Sequence, residues 1–460
     1  MERDTMYAIS PLDGRYAKIG EELSPYFSEY ALIKNRVMVE VNWLIFQLER
    51  IKFKQIEKFG TEENLKAIEK IYTFFNKQEA ERIKEIESVT NHDVKAVELY
   101  VGEKLKNVGL EQLISFVHIG CTSDDINNTT YATMIKDGLN KVWIPKAREL
   151  IFNITKIAEK HSKTPMLAHT HGQPATPTTV GKEMAVYVHR LRKSLEFIQN
   201  IKIQAKFNGA TGTYAAVNTA FPEEDWISIN REFIEKSLGL EFNPVTTQIE
   251  SHDYMCHILD GIRHFNNILL DFDLDMWYYI SMEYFKQLVV ETEVGSSVMP
   301  HKVNPIRFEN SEANIDMSNA ICMALSNKLP KSRMQRDLSD SSSQRNIGLA
   351  IGYSLQAIQQ TLGGLKKVAV NEEKLASDLD GKWEVLAEPI QTMLRKYGAP
   401  DAYNQLKKLT RGKETSKEAI QEFVKSLDIL SDEDKNKLLE LTPSTYIGLA
   451  EKIVEEELKN

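Results

Sequence analysis

The chain has 460 residues, 42% of them hydrophobic and 27% charged, an ordinary globular composition with room for two to four domains and a large core. No apolar run approaches the ~18–20 residues needed to cross a bilayer, and the opening MERDTMYAISPLDGRY lacks the marks of a secretory signal or a transit peptide, so a soluble cytoplasmic protein is expected, with an organelle as the alternative. A net charge of −9 argues against nucleic acid as a partner, and Cys121, Cys256 and Cys322 match no zinc spacing, redox motif or disulfide framework.

To about residue 112 the pattern is helical, with a charged stretch at 54–88. Asp13-Gly14-Arg15-Tyr16 near its start reads as a simple turn. Thr90-Asn91-His92-Asp93-Val94 lies on or next to a helix, and a His followed by Asp suits a solvated helix face as well as a site. In His118-Ile119-Gly120-Cys121-Thr122-Ser123-Asp124-Asp125, Ser123 is expected to cap a helix with the acids in its first turn; such a helix start also attracts anions. Helical stretches near 143–163 and 177–205 enclose the break 164–176. There His169-Thr170-His171-Gly172-Gln173-Pro174 is unlike a helix interior and reads as a turn carrying a structural histidine.

Beyond Thr246-Thr247-Gln248-Ile249-Glu250, the clearest helix runs from about His252 to Glu291. Its apolar residues, from Met255 through Ile262, Phe265 and Phe272 to Ile280, recur in steps of three and four. About 40 such residues would span roughly 60 Å, which needs a long bundle and neighbouring subunits to cover it. Next, Gly295-Ser296-Ser297-Val298-Met299-Pro300-His301-Lys302-Val303-Asn304-Pro305 packs hydroxyls, an imidazole, a lysine and an amide together just ahead of a helix start. On composition it is either a polar surface loop or an anion-binding one. Helices near 305–328 and 345–371 flank Ser332–Asn346, where Arg336 and Arg345 bracket a serine run containing Ser341. That is a solvated loop or a phosphate grip, since Arg offers a planar fork of donors. After about 366 the pattern shortens, and SDEDKNKLLEL opens a helix with Ser431 as cap and Asp434 at the third helical position. The expected fold is all-α with three helical domains, 1–112, 113–365 (a central long-helix bundle) and 366–460.

GSSVMPHKVNP resembles the signature loop of the fumarase/aspartase superfamily, commonly GSSxMPxKxNP. Fumarases and aspartases usually have Gly at the place of His301, and argininosuccinate lyases usually Gln. His is usual in adenylosuccinate lyases and some cycloisomerase-type relatives. THGQPATP, NHDV, DGRY, TTQIE, SRMQRDLSDS and WEVLAEPIQ are likewise similar to adenylosuccinate lyase segments. The resemblance runs from about residue 7 to 455, including the spacing between motifs.

That resemblance implies a β-elimination releasing fumarate from adenylosuccinate to give AMP, and from the succinocarboxamide ribonucleotide (SAICAR) to give AICAR in purine biosynthesis. It assigns His171 as general acid, a role suited to a side chain that titrates near neutral pH. Ser296 is the general base, although the sequence leaves Ser297 or a histidine open, and Lys302 would stabilise the alkoxide. His92 would orient or charge-assist the acid, or contact a carboxylate. Thr122, Ser123 and Asn304 fall on carboxylate contacts, Gln248 on a substrate carboxylate or amide, Arg15 and Tyr16 on nucleotide contacts, and Arg336, Ser341 and Arg345 on substrate and phosphate contacts. Asn91, Asp93, Thr170 and Met299 complete the substrate-binding set. The chemistry needs neither cofactor nor metal, and the resemblance implies a homotetramer whose sites draw on three subunits. Two alternatives stand beside this reading. One is another superfamily lyase such as an argininosuccinate lyase, against which His301 and SRMQRDLSDS argue. The other is a non-catalytic helical relative like the lens crystallins derived from this superfamily, against which Ser296, Lys302 and His171 argue.

Overall fold

A computed structural model describes residues 5–288, 298, 299, 301–410 and 415–459, with the side chains at 405 and 408–410 excepted. Helices dominate, and the strands among the described residues form three separate two-stranded pairs; the fold is all-α. The chain divides into two compact units. The first comprises Met1–Ala147, Ser194–Asn266 and Ala313–Ala357, the second Arg148–Lys193, Asn267–Glu312 and Ile358–Asn460. The helices Ile144–Lys160, Val180–Asn200, Asp253–Ser281, Ile306–Lys328 and Ile347–Leu365 contribute residues to both.

In the first unit, Trp43 of the helix Glu29–Phe46 packs against Phe207 and Phe233, with ring centroids 4.8 and 5.1 Å away. Trp143 meets Phe265 edge-on at 5.0 Å, and its indole N–H donates to Ser354 Oγ at 2.9 Å. The indole thereby buries its apolar body without stranding its donor. In the second unit, Leu386, Ile390, Leu394, Leu406, Ile420, Val424 and Leu438 form one apolar cluster. Ser431 Oγ accepts the Asp434 N–H at 3.2 Å, the cap expected from the sequence.

The longest helix keeps the expected stripe but not the expected length. Met255, Ile258, Leu259, Ile262, Phe265, Ile268, Leu269, Phe272 and Met276 are all buried. The helix runs Asp253–Ser281, 29 residues, or about 44 Å. It stops because Glu283 takes a left-handed backbone, φ 62°. Phe285–Gln287 then pairs antiparallel with Val368–Val370. Asn371 closes the junction: its backbone N–H donates to Tyr284 O, and its side-chain amide to Glu283 O, both at 2.8 Å. Periodicity alone does not see a distant strand that offers a competing set of backbone partners.

The break at 164–176 is a hairpin rather than a bare turn. Pro165–Thr170 pairs antiparallel with Gln173–Thr179, and the two residues between, His171 (φ 54°) and Gly172 (φ 71°), are both left-handed. Positive φ at both central positions is the type I′ pattern that matches strand twist. Pro174 and Pro177 are tolerated because each strand of a two-stranded ribbon has a free edge.

Candidate active site

In the first unit, the expected site residues fall into two groups. Around Asp93, the fully buried Arg36 donates from Nη2 to the carboxylate at 2.6 Å and from Nε to Asn127 Oδ1 at 2.8 Å. Burial alone would raise the Asp93 pKa; the Arg36 charge and the Val94 N–H outweigh it and hold the acid below its usual range. Arg345 lies 3.9 Å from Asp93 and pairs with Glu29. Beside them, Asn91 ends the helix Lys77–Thr90 in a left-handed conformation, φ 52°. His92 caps the next helix, its Nδ1 accepting the Lys95 N–H at 3.0 Å. A neutral His92 ring therefore carries its proton on Nε2.

The second group lies at the start of the helix Ser123–Gly138. Thr122, not Ser123, is its N-cap. The Thr122 N–H donates to Asp125 Oδ2 at 2.7 Å in a capping box, leaving Ser123 as the first helical residue. Asp125 also accepts from the backbone N–H groups of Asn208 (2.9 Å) and Gly209 (3.1 Å) and from Lys206 Nζ (2.9 Å); Asp125 and Lys206 are fully buried. A buried ion pair is stable only when its remaining hydrogen-bonding capacity is met, as it is here. Gln248 is held at both ends: its amide donates to Ala210 O at 3.1 Å, and its carbonyl oxygen accepts from Arg336 Nη1 at 3.3 Å. Ser341 follows Asp340, whose carboxylate accepts the Ser341 N–H at 2.7 Å. Nearer the N-terminus, the exposed Arg15 and half-buried Tyr16 sit in overlapping turns, with the Tyr16 N–H donating to Pro11 O at 2.7 Å.

In the second unit, Thr170 and His171 are exposed at the hairpin tip, where Thr170 pairs with Gln173. His169, two residues back, lies 6.2 Å from the Tyr284 ring. Of the signature loop, Val298, Met299 and residues 301–305 are described; Ser296 and Ser297 lie outside the described residues. The Lys302 N–H donates to Met299 O at 3.1 Å, and Gln287 donates to Val303 O at 2.6 Å. Asn304 and Pro305 lead into the helix Ile306–Lys328.

Several residues of chemical interest escape sequence reasoning. His118, left-handed at φ 59°, is 2.5 Å from the fully buried Glu40 carboxylate. Burial opposes its charging, but Glu40 prevails and pushes the imidazole pKa up. Asp124 is buried, which lifts its carboxyl to about 6 despite the charges of Lys206, His252 and Arg336. The capping box Thr122–Asp125 was legible as T-x-x-D, whereas Arg36, Glu40 and Lys206 meet their partners only through the fold. Among the described residues, no group of three or more His, Cys, Asp or Glu is arranged to hold a metal ion, and no helix is long and apolar enough to cross a membrane.

A family model described as lyase matches residues 14–319, and one described as adenylosuccinate lyase C-terminal matches residues 332–447. The chain is 48% identical over 456 residues to adenylosuccinate lyase of Haemophilus influenzae, covering 99% of each. It is 46% identical over 457 residues to adenylosuccinate lyase of Escherichia coli strain K12, covering 99% of this chain and 100% of that one. Among solved structures it resembles a fumarate lyase from Mesorhizobium sp. BNC1, with TM-score 0.74, 18% identity and coverage of 96% and 98% of the two chains. It also resembles a 3-carboxy-cis,cis-muconate lactonizing enzyme from Pseudomonas putida, with TM-score 0.73, 18% identity and coverage of 95% and 96%. Those structural likenesses establish a shared fold. With nearly half of its residues identical to curated members from end to end, the chain belongs to the adenylosuccinate lyase family.

Proposed function

We propose that this chain is a carbon–nitrogen lyase that eliminates fumarate from adenylosuccinate, leaving AMP, and from SAICAR, leaving AICAR, in purine biosynthesis. The observation that carries this is the 48% identity extending over 99% of both chains. The reaction removes a proton from the succinyl carbon beside a carboxylate, breaks the C–N bond and returns a proton to the departing nitrogen. In the reading proposed here Ser296 takes the first proton and His171 supplies the second, on opposite faces. Lys302 stabilises the Ser296 alkoxide, and His92 supports the acid. The dianion developing on the carboxylate needs donors that are already in place. Thr122 and Ser123 at a helix start, Gln248 and Asn304 are assigned to it, with Asn91, Asp93, Thr170 and Met299 completing the contacts.

Arg336, Ser341 and Arg345 are assigned to substrate and phosphate contacts, and Arg15 and Tyr16 to the nucleotide. Arg345 pairs with Glu29 and lies near Asp93 in the free protein, so a phosphate bound there exchanges one anionic partner for another. We further assign a cytoplasmic homotetramer with sites shared among subunits, three helical domains bounded near 112 and 365, and no cofactor. The test is ultraviolet monitoring of adenylosuccinate cleavage, with argininosuccinate alongside and fumarate assayed in both. Fumarate with AMP from adenylosuccinate alone is the expected result. Fumarate from argininosuccinate alone would overturn the substrate assignment.

A further inference from the structure

His252 is absent from the catalytic scheme, yet it is the most enclosed histidine of the first unit. Its side chain is fully buried, and its backbone is left-handed at φ 64°. A non-glycine residue keeps that conformation in a core only where its surroundings over-determine it. Those surroundings are polar. Nε2 lies 3.3 Å from Asp340 Oδ2 and 3.1 Å from the Gln344 amide nitrogen. Nδ1 lies 3.9 Å from Glu250 Oε2, and that same oxygen accepts the His252 backbone N–H at 2.7 Å. Glu250 is tied in turn to Asp124, whose carboxylate accepts the Glu250 N–H at 3.3 Å. Asp124, Glu250 and Asp340 are all buried.

Each of these carboxylates is a near neighbour in sequence of an assigned substrate contact. Asp124 follows Thr122 and Ser123. Glu250 follows Gln248 by two residues. Asp340 precedes Ser341 and accepts its N–H through the oxygen that does not face His252. Arg336 joins two of the three segments by donating to Gln248. Buried carboxyls gathered in this way need hydrogen-bonding partners, cations or protons among them, and His252 stands where all three segments converge. From this convergence we infer that His252 is a positioning residue: its buried imidazole, held between Asp340 and Glu250, locks the helix start at Thr122–Ser123, the Gln248 segment and the Arg336–Ser341 segment into one substrate-binding register. It acts through these groups and does not touch substrate.

The inference rests on the reading of this chain as an adenylosuccinate-cleaving lyase, so steady-state kinetics of the wild-type full-length protein come first. No turnover there overturns that reading, and the inference with it. With an active wild type, His252→Gln is expected to raise KM for adenylosuccinate by about tenfold or more and to lower kcat as well, because the loosened donors hold the substrate carboxylates in the ground state and the developing dianion in the transition state. A purely structural role would instead lower the melting temperature and the active fraction, reducing kcat at unchanged KM, and that result would overturn the inference. Asp340→Asn keeps the imidazole and the shape of its partner while removing the charge. It is expected to give the same rise in KM and fall in kcat, and it decides the matter if His252→Gln does not fold. The double variant should be no worse than the more impaired single one, since residues acting through one contact are not additive; fully additive effects would count against the pairing.

Discussion

His171 holds its left-handed backbone at the one place in the hairpin where two residues reverse the chain. Histidine tolerates that conformation better than most side chains, but asparagine tolerates it at least as well. His171→Asn therefore separates loss of the imidazole from loss of the turn. Turnover of adenylosuccinate should fall about 10²-fold or more, the usual worth of a general acid, with the melting temperature unchanged. Near-normal turnover in that folded variant would remove His171 from the proposed mechanism. Gly172→Ala is the complementary control. A methyl group there would meet nothing within 4 Å, so only backbone strain opposes it, about 1–2 kcal/mol for a left-handed alanine. Thermal melts should show a modest loss in that variant. Residue identities carried much of this in the sequence: HTHG read as a turn, and TSDD as a helix start. One detail shifted: the cap is Thr122 rather than Ser123, with Asp125 completing its box. What stayed hidden were partners set by the fold, such as Glu40 on His118 and Lys206 on Asp125.

At the scale of elements, apolar spacing located the long helices, since a buried stripe is a local property of the chain. The strands escaped it. Phe285–Gln287 and Val368–Val370 lie more than 80 residues apart and find each other only in the folded chain. Two contacts between helices can be tested directly. Gly181 opens the helix Val180–Asn200. A Cβ there would lie 2.4 Å from Ala158 O and 2.5 Å from Ser162 Cα, both backbone atoms that cannot swing aside. Gly181→Ala should therefore destabilise by about 1–3 kcal/mol, the usual cost of overpacking, measured by chemical denaturation. Asp273 is buried against Thr361 Oγ1 at 2.8 Å, and burial drives its carboxyl pKa well above the ordinary value against the hydrogen bonds of Ser311 and Thr361. The folded chain thus keeps a proton that the unfolded chain releases above about pH 4, and stability declines as pH rises from there toward the folded pKa. Asn at 273 carries no such proton. The melting temperature of Asp273→Asn relative to wild type should rise between about pH 5 and pH 8; a flat difference would mean that the acid is ionised in the fold.

For the whole molecule, the proposed assembly comes from the family resemblance, and the wide separation of the assigned residues along the chain makes it testable by complementation. His171 sits at a hairpin between long helices, and Ser296 comes more than 120 residues later in the sequence. The stripe of the helix Asp253–Ser281 is buried within a single chain as far as Met276, yet Leu274, Trp277 and Tyr278 remain exposed on that helix. Large apolar side chains grouped in this way suit coverage by a second copy better than contact with water. If one site takes its acid from one subunit and its base from another, two inactive variants can complement each other. His171→Ala and Ser296→Ala should each be folded and nearly inactive alone. After co-refolding in equal amounts, random assortment gives about a quarter of the sites both intact groups, and turnover should recover to about that fraction of wild type. Mixed tetramers verified by mass that show no recovery would place acid and base of each site on the same subunit, and would overturn the shared-site assignment while leaving the chemistry intact.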